Sequence, residues 1–109
     1  MALLIQTWDI PADRRGHEEY ELIGQEAIAV VLAQPGVLEF RAYRNPLRAS
    51  PHVMVQVEFE GDAALQKFLD SFVYGDVIRD LTRVGCHNIQ SQVWTGSPVV
   101  PVPLKPAGR

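Results

Sequence analysis

Two hydrophobic periods alternate along this chain, and their order predicts the fold. Ala2–Trp8 is rich in apolar and β-branched residues and is closed by Pro11 and Asp13, which reads as a strand. From about Asp13 to Ala33 the period lengthens. Tyr20, Ile23, Ala27 and Val31 recur at steps of three and four, while His17, Glu18, Glu21, Gln25 and Glu26 fall largely on the opposite side. That spacing predicts an amphipathic helix, with Asp13 as its cap, an acidic first half suited to the helix dipole, and Pro35-Gly36 beyond its end. Val37–Arg44 alternates again, Asn45-Pro46 and Ser50-Pro51 mark a loop, and His52–Phe59 places Val53, Val55, Val57 and Phe59 on one strand face. Asp62 is a candidate cap for a second helix whose buried stripe is Leu65, Phe68, Leu69 and Phe72. Gly75 interrupts it, a short helix carries Val77, Ile78, Leu81 and Val84 inward, and Gly85 ends that helix before a last strand, Asn88–Thr95.

The order β-α-β-β-α-β predicts a ferredoxin-like α+β domain over residues 1–96. It has a four-stranded antiparallel sheet, its first and third strands at the centre and both helices on one face. Alternation assigns Leu3, Ile5, Leu38, Phe40, Val53, Val55, Val57, Phe59, Ile89 and Val93 to the helix side. It leaves Gln6, Trp8, Arg41, Tyr43, His52, Met54, Gln56, Glu58, Gln90, Gln92 and Trp94 on the other. A solvated face would not favour Trp8, Tyr43, Met54 and Trp94 together, so that face is expected to meet a partner. The simplest partner is a second copy, packed sheet to sheet about a two-fold axis. The alternative is an ordinary half-wet sheet. Residues 97–109 form a proline-rich tail with Pro98, Pro101, Pro103 and Pro106, which is extended unless Val99, Val100, Val102 or Leu104 finds a surface.

Composition narrows the partners. Ten basic and thirteen acidic residues give a net charge of −3 with no basic run, which argues against nucleic acid or an anionic membrane. The apolar stretch Ala2–Ile5 is too short for a secretory signal, and no window could span a bilayer, so a soluble cytoplasmic protein is expected. The single cysteine, Cys86, excludes an internal disulfide.

The run Pro35-Gly36-Val37-Leu38-Glu39-Phe40-Arg41-Ala42-Tyr43-Arg44, followed by the strand Val53–Phe59 and then Gly61-Asp62-Ala63-Ala64-Leu65, resembles the antibiotic biosynthesis monooxygenase-like family of dimeric α/β barrels. The resemblance covers about Ala2–Trp94 and leaves the tail outside. It implies a homodimeric barrel and an oxidoreductase, a monooxygenase that needs no cofactor and acts on an aromatic or polyketide-like small molecule. The family also contains members with no established activity, so a non-catalytic ligand-binding or stress-associated barrel is the alternative. Two departures stand out. Phe59 stands where many members have a tryptophan near the end of the third strand, and Lys67-Phe68 stands where many have a histidine.

Such chemistry needs a pocket for a planar molecule and a group that favours its anion, because that anion itself reduces oxygen. His52 is the candidate base and Arg41 the candidate anion stabiliser; the alternative is that both knit the dimer. In this architecture the ligand cavity often lies between sheet and helices, so Tyr74, Phe68, Phe72 and His87, with Trp8, are the candidate pocket residues. Tyr74 is preferred, as an aromatic wall with a polar tip. Cys86-His87 offers too few ligands for a metal site, and strand neighbours point to opposite faces, so an inert buried thiol is expected.

Overall fold

A computed structural model describes residues 1–108. Strand β1 (Ala2–Asp9) leads into helix α1 (Arg14–Leu32), then strands β2 (Val37–Arg44) and β3 (Val53–Phe59). Helices α2 (Asp62–Leu69) and α3 (Phe72–Arg83) precede the last strand, β4 (His87–Thr95). The strands form one antiparallel sheet in the order β2-β3-β1-β4, with β1 and β3 central as the sequence predicts. All three helices cover one face. The fold is ferredoxin-like.

Local sequence explains the element boundaries. Gly36 adopts a left-handed backbone (φ 81°), and a Cβ there would sit 2.5 Å from the Ala64 Cβ, so the turn after α1 requires glycine on both counts. The second helical region breaks at Asp70-Ser71 rather than at Gly75. Ser71 Oγ donates to the Phe68 carbonyl at 2.6 Å, and α3 starts at once. The break places Tyr74 in the first turn of α3 and Gly75 on its exposed side.

Strand β1 corrects the sequence reading. Ala2, Leu4, Gln6 and Trp8 face the helices, and Leu3 and Ile5 face the open side. The register leaves no choice, because Ala2, Leu4, Gln6 and Trp8 lie opposite Phe59, Val57, Val55 and Val53, all of them on the helix side. Alternation failed because both faces of β1 are apolar in its first half. Gln6 is the one strongly polar side chain on the covered face of β1, a buried polar residue rather than a solvated one. A bulge between Val37 and Glu39 likewise turns Leu38 out to solvent and Val37 into the core.

The core is built from two clusters. Leu4, Val57, Phe59, Leu65 and Phe68 pack under α2 and the end of α1; Trp8, Val55, Leu81, Val84 and Cys86 pack under α3. Phe59, Phe68 and Tyr74 form a chain of rings with centroids 5.5 and 5.7 Å apart. The radius of gyration is 15.4 Å, above the roughly 13 Å of a compact chain this long. The excess reflects the tail, which carries no helix or strand and is exposed throughout its described residues.

Candidate functional site

The space between α1 and the sheet is not filled. A cavity of about 120 Å³ lies there, far more than the roughly 10–15 Å³ that admits one water. Its floor is the sheet, with Leu4, Gln6 and Trp8 from β1 and Val53, Val55 and Val57 from β3. Helix α1 roofs it with Tyr20, Gly24, Ala27, Ile28 and Val31, and Phe68, Tyr74, Val77 and Leu81 close the side under α2 and α3. Edge strand β2 contributes Phe40 and Ala42.

The walls are apolar and aromatic, with a few polar atoms held in a defined pattern. Trp8 Nε1 donates to the Tyr20 hydroxyl at 3.2 Å. Gln6 Nε2 donates to Ser91 Oγ at 3.2 Å, and the Tyr74 hydroxyl donates to the same oxygen at 2.9 Å. One of the two Gln6 N–H bonds is thereby used. The other N–H and the carbonyl oxygen make no side-chain hydrogen bond among the described residues, and since no buried side-chain polar atom there lacks a partner, the free oxygen is open to water rather than sealed in the core. Desolvation pushes the Tyr20 phenol above its ordinary range, so it stays protonated at neutral pH. Among the described residues, no carboxylate, imidazole, amine, guanidinium or thiol lines the cavity.

Three of the residues expected from the sequence, Trp8, Phe68 and Tyr74, meet in this cavity. Trp8 does so from the helix side of the sheet, not from the outer face assigned to it. Four others lie elsewhere. Phe72, at the start of α3, is 91 % exposed and does not line this cavity. Arg41 lies on the open face, paired with Glu39, which raises the guanidinium pKa further. His52 and His87 lie at the end of the sheet, around Asp9. Neither Arg41 nor His52 reaches a molecule in the cavity.

The Asp9 cluster is a separate constellation. Ser50 Oγ approaches both Asp9 carboxylate oxygens at 2.7 Å, and the His52 amide donates to the same carboxylate at 3.2 Å. The Ser50 hydrogen bond, with help from the nearby histidines, holds Asp9 below the usual carboxylate range despite its burial. His52 Nδ1 accepts the Ile10 amide at 3.1 Å, which occupies the imidazole lone pair that a general base would use. The cluster ties the loop after β2 to the ends of β1 and β4. Cys86 is buried, and burial pushes its thiol up to about 11, as an inert thiol requires.

Sequence reasoning missed Gln6 and Gly24 as cavity residues. Tyr20, Ala27 and Val31 were visible as one helical stripe, and that stripe is the cavity roof. Gln6 carried the signal of a lone polar residue in an apolar strand, which the phase error sent to the wrong face.

The open face of the sheet is more apolar than the sequence suggests. On this face Leu3 lies between Glu58 and the exposed Trp94, Ile5 between Gln56 and Gln92, and Met54 between Thr7 and the exposed Tyr43. Among the described residues, Pro103 of the tail shares a pocket with Met1, Leu3, Glu39 and Arg41 at one corner of this face.

No protein-family model and no curated protein matches the sequence. Solved structures do match. A protein from Deinococcus radiodurans, provisionally named an antibiotic biosynthesis monooxygenase, superposes with a TM-score of 0.73 at 14 % identity, covering 99 % of this chain and all of that one. A variant of SnoaB, a cofactor-independent oxygenase from Streptomyces nogalater, gives a TM-score of 0.70 at 13 % identity, over 93 % of this chain and 97 % of its own. A dimeric ferredoxin-like protein of unknown function from Jannaschia sp. CCS1 gives 0.66 at 16 % identity, over 87 % of this chain and 99 % of its own. The fold is that of the antibiotic biosynthesis monooxygenase-like proteins. Among the described residues, no helix is long and apolar enough to cross a membrane.

Proposed function

We propose that this chain is a cofactor-independent monooxygenase that takes an uncharged, planar, aromatic or polyketide-like molecule into the cavity beneath α1. The observation that carries this reading is the cavity itself. It is an apolar, aromatic-walled space with one glutamine amide on its floor and no ionisable base in its walls. The structural likeness to an oxygenase of the same fold supports the assignment of chemistry by analogy.

The reaction follows from what the walls contain. A substrate of the anthrone type loses a proton from a carbon made acidic by its own conjugation. The resulting enolate passes an electron to dioxygen, the two radicals couple as a hydroperoxide, and loss of water leaves a carbonyl. One oxygen atom enters the product and the other leaves as water, and all electrons come from the substrate. The chain binds, orients and stabilises. The free N–H of Gln6 is placed to donate to the enolate oxygen, in surroundings where a hydrogen bond to a charged acceptor is worth more than in water. Trp8, Tyr20 and Tyr74 provide flat walls for the rings. With no base in the walls, the substrate must be acidic enough to ionise with water as the proton acceptor.

Two copies join through their open sheet faces in this reading. Ile5 is the apolar centre of the contact, with Leu3 beside Trp94 on one side of it, Met54 beside Tyr43 on the other, and Gln56 and Gln92 as polar neighbours. The dimer closes the barrel and leaves each cavity on its outer side, independent of the partner.

A second reading shares the cavity but not the chemistry. Walls without a carboxylate, imidazole or amine equally suit a carrier or sensor of a neutral aromatic molecule. Oxygen uptake separates them. Chelator-treated, flavin-free protein is mixed with a panel of anthrones and hydroquinones in an oxygen electrode, under ¹⁸O₂. Uptake of one O₂ per carbonyl formed, with one labelled atom in the product, is the expected result. Saturable binding without uptake by any compound that binds would leave the carrier.

A further inference from the structure

Two glycines interrupt the body of α1, and they have different reasons to be there. Gly16 is forced by packing. A Cβ there would lie 2.5 Å from Asp13 Oδ1, 2.8 Å from the Pro11 Cβ and 2.9 Å from the Val84 carbonyl oxygen. Gly24 is not. It sits mid-helix with no left-handed backbone to require glycine, and a Cβ there would meet nothing within 4 Å. Glycine is the least favourable residue in a helix interior after proline, so an unforced one calls for another reason.

Its position supplies one. Gly24 lies one turn from Tyr20 and one turn from Ile28, both cavity-lining, so a side chain at 24 would project along that same stripe. The burial of the walls then locates the opening. Leu4, Gln6, Trp8 and Val55 at the floor are buried, whereas Ile28 and Ala42 are exposed and Gly24 is half-buried. The cavity therefore opens where α1 passes over edge strand β2, between Gly24 and Ile28 on one side and Ala42 on the other. Two small residues, Gly24 on α1 and Ala42 on β2, frame it from both elements.

We propose that Gly24 is the specificity-determining residue of this cavity: its missing side chain keeps the mouth between α1 and β2 open, as a slot that admits a flat, uncharged aromatic molecule edge-on. The inference rests on the reading that the cavity takes a ligand, but the opening can be tested without one. Trp8 is 6 % exposed and forms part of the cavity floor, so a small neutral quencher reaches it through the mouth. Trp94 lies on the opposite face of the sheet and is replaced by phenylalanine to leave Trp8 as the single reporter.

The experiment measures acrylamide quenching of Trp8 in the Trp94→Phe background, with Gly24→Ala, Gly24→Leu and Gly75→Leu added in turn. Gly75 is the matched control. It too is a helix glycine with open space around its Cβ, but it is exposed on α3 and lines no part of this cavity. Gly24→Leu is expected to lower the quenching constant several-fold, Gly24→Ala to lower it partially, and Gly75→Leu to leave it unchanged. All are expected to melt cooperatively by circular dichroism. The same proteins are titrated with 1-naphthol and with 1-naphthoate. Gly24→Leu is expected to weaken 1-naphthol on the order of tenfold, and the carboxylate is expected to bind none of them. Equal quenching in Gly24→Leu and its parent, or no quenching of Trp8 in the parent, overturns the proposal. Reduced quenching with no 1-naphthol binding to any variant upholds the mouth and counts against the ligand reading.

Discussion

Gln6 is a buried glutamine on the central strand of a small domain, and replacing it with leucine separates a structural role from a functional one. The native amide makes one side-chain hydrogen bond, to Ser91 Oγ, a group on an exposed residue. Removing it costs about 1 kcal/mol, the usual net value of such a bond, and Ser91 keeps its bond from Tyr74. Against this, the protein no longer holds an amide that is 6 % exposed and set among apolar side chains, which relieves about 1–3 kcal/mol. Leucine is close to glutamine in size, and its neighbours Leu4, Val55, Val57 and Trp8 are apolar. The balance favours Gln6→Leu by about 1 kcal/mol, which for a domain near this size is a rise in Tm of roughly 4–8 °C. The same change removes the polar group placed to meet a ligand oxygen, so affinity for 1-naphthol falls by about tenfold, the equivalent of one hydrogen bond. Thermal melts and Trp8 fluorescence titrations of the two proteins give both numbers. A Tm lower by several degrees would refute the reasoning, because it would make Gln6 a strut of the fold. Unchanged 1-naphthol affinity would refute the role assigned to its amide.

Four further outcomes follow from other parts of the molecule. Ile5→Glu, on the open sheet face, is expected to convert a dimer to a folded monomer by light scattering, while Lys67→Glu on α2 leaves the mass unchanged. Asp9 has a folded pKa below its unfolded value, so the stability it contributes is present above the unfolded pKa and is lost as pH falls through the folded one. Asp9→Asn is therefore expected to be less stable than the parent at pH 7, with the difference shrinking towards pH 2 in urea titrations. Cys86, with its thiol pushed up to about 11 from 9.0, is expected to react with iodoacetamide at pH 8 on the order of 100-fold more slowly in the folded protein than in urea. Phe59→Ala, at the most enclosed large side chain, is expected to cost about 3–5 kcal/mol in the same urea titrations.

The element order was legible because each period was strong where it mattered. The α1 stripe Tyr20, Ala27 and Val31 and the β3 stripe Val53 to Phe59 both face inward as read, and together they fix which side of the sheet is covered. Strand β1 was not legible from its own residues. Ala2, Leu3, Leu4 and Ile5 give no alternation, and its phase is settled by cross-strand partners that only the folded sheet supplies. That single phase decides where the site is. With Trp8 and Gln6 outside, a polar outer face with Arg41 and His52 is the candidate site; with both inside, the candidate site lies beneath α1. His52 was a sound candidate by type, but its ring nitrogen is committed to the Ile10 amide, a contact between loop and strand that no spacing reveals. Gly24 has no signal of its own in the sequence, since its meaning depends on the empty space around it.

The two tryptophans lie on opposite sides of the sheet, Trp8 in the cavity floor and Trp94 on the open face. Titrating the Trp94→Phe and Trp8→Phe proteins with anthrone under argon, and following the tryptophan that remains, asks directly which side a ligand occupies. Binding beneath α1 requires a saturable change in Trp8 emission and none in Trp94 emission. A saturable change at Trp94 with Trp8 silent would place the ligand on the open face and contradict the account.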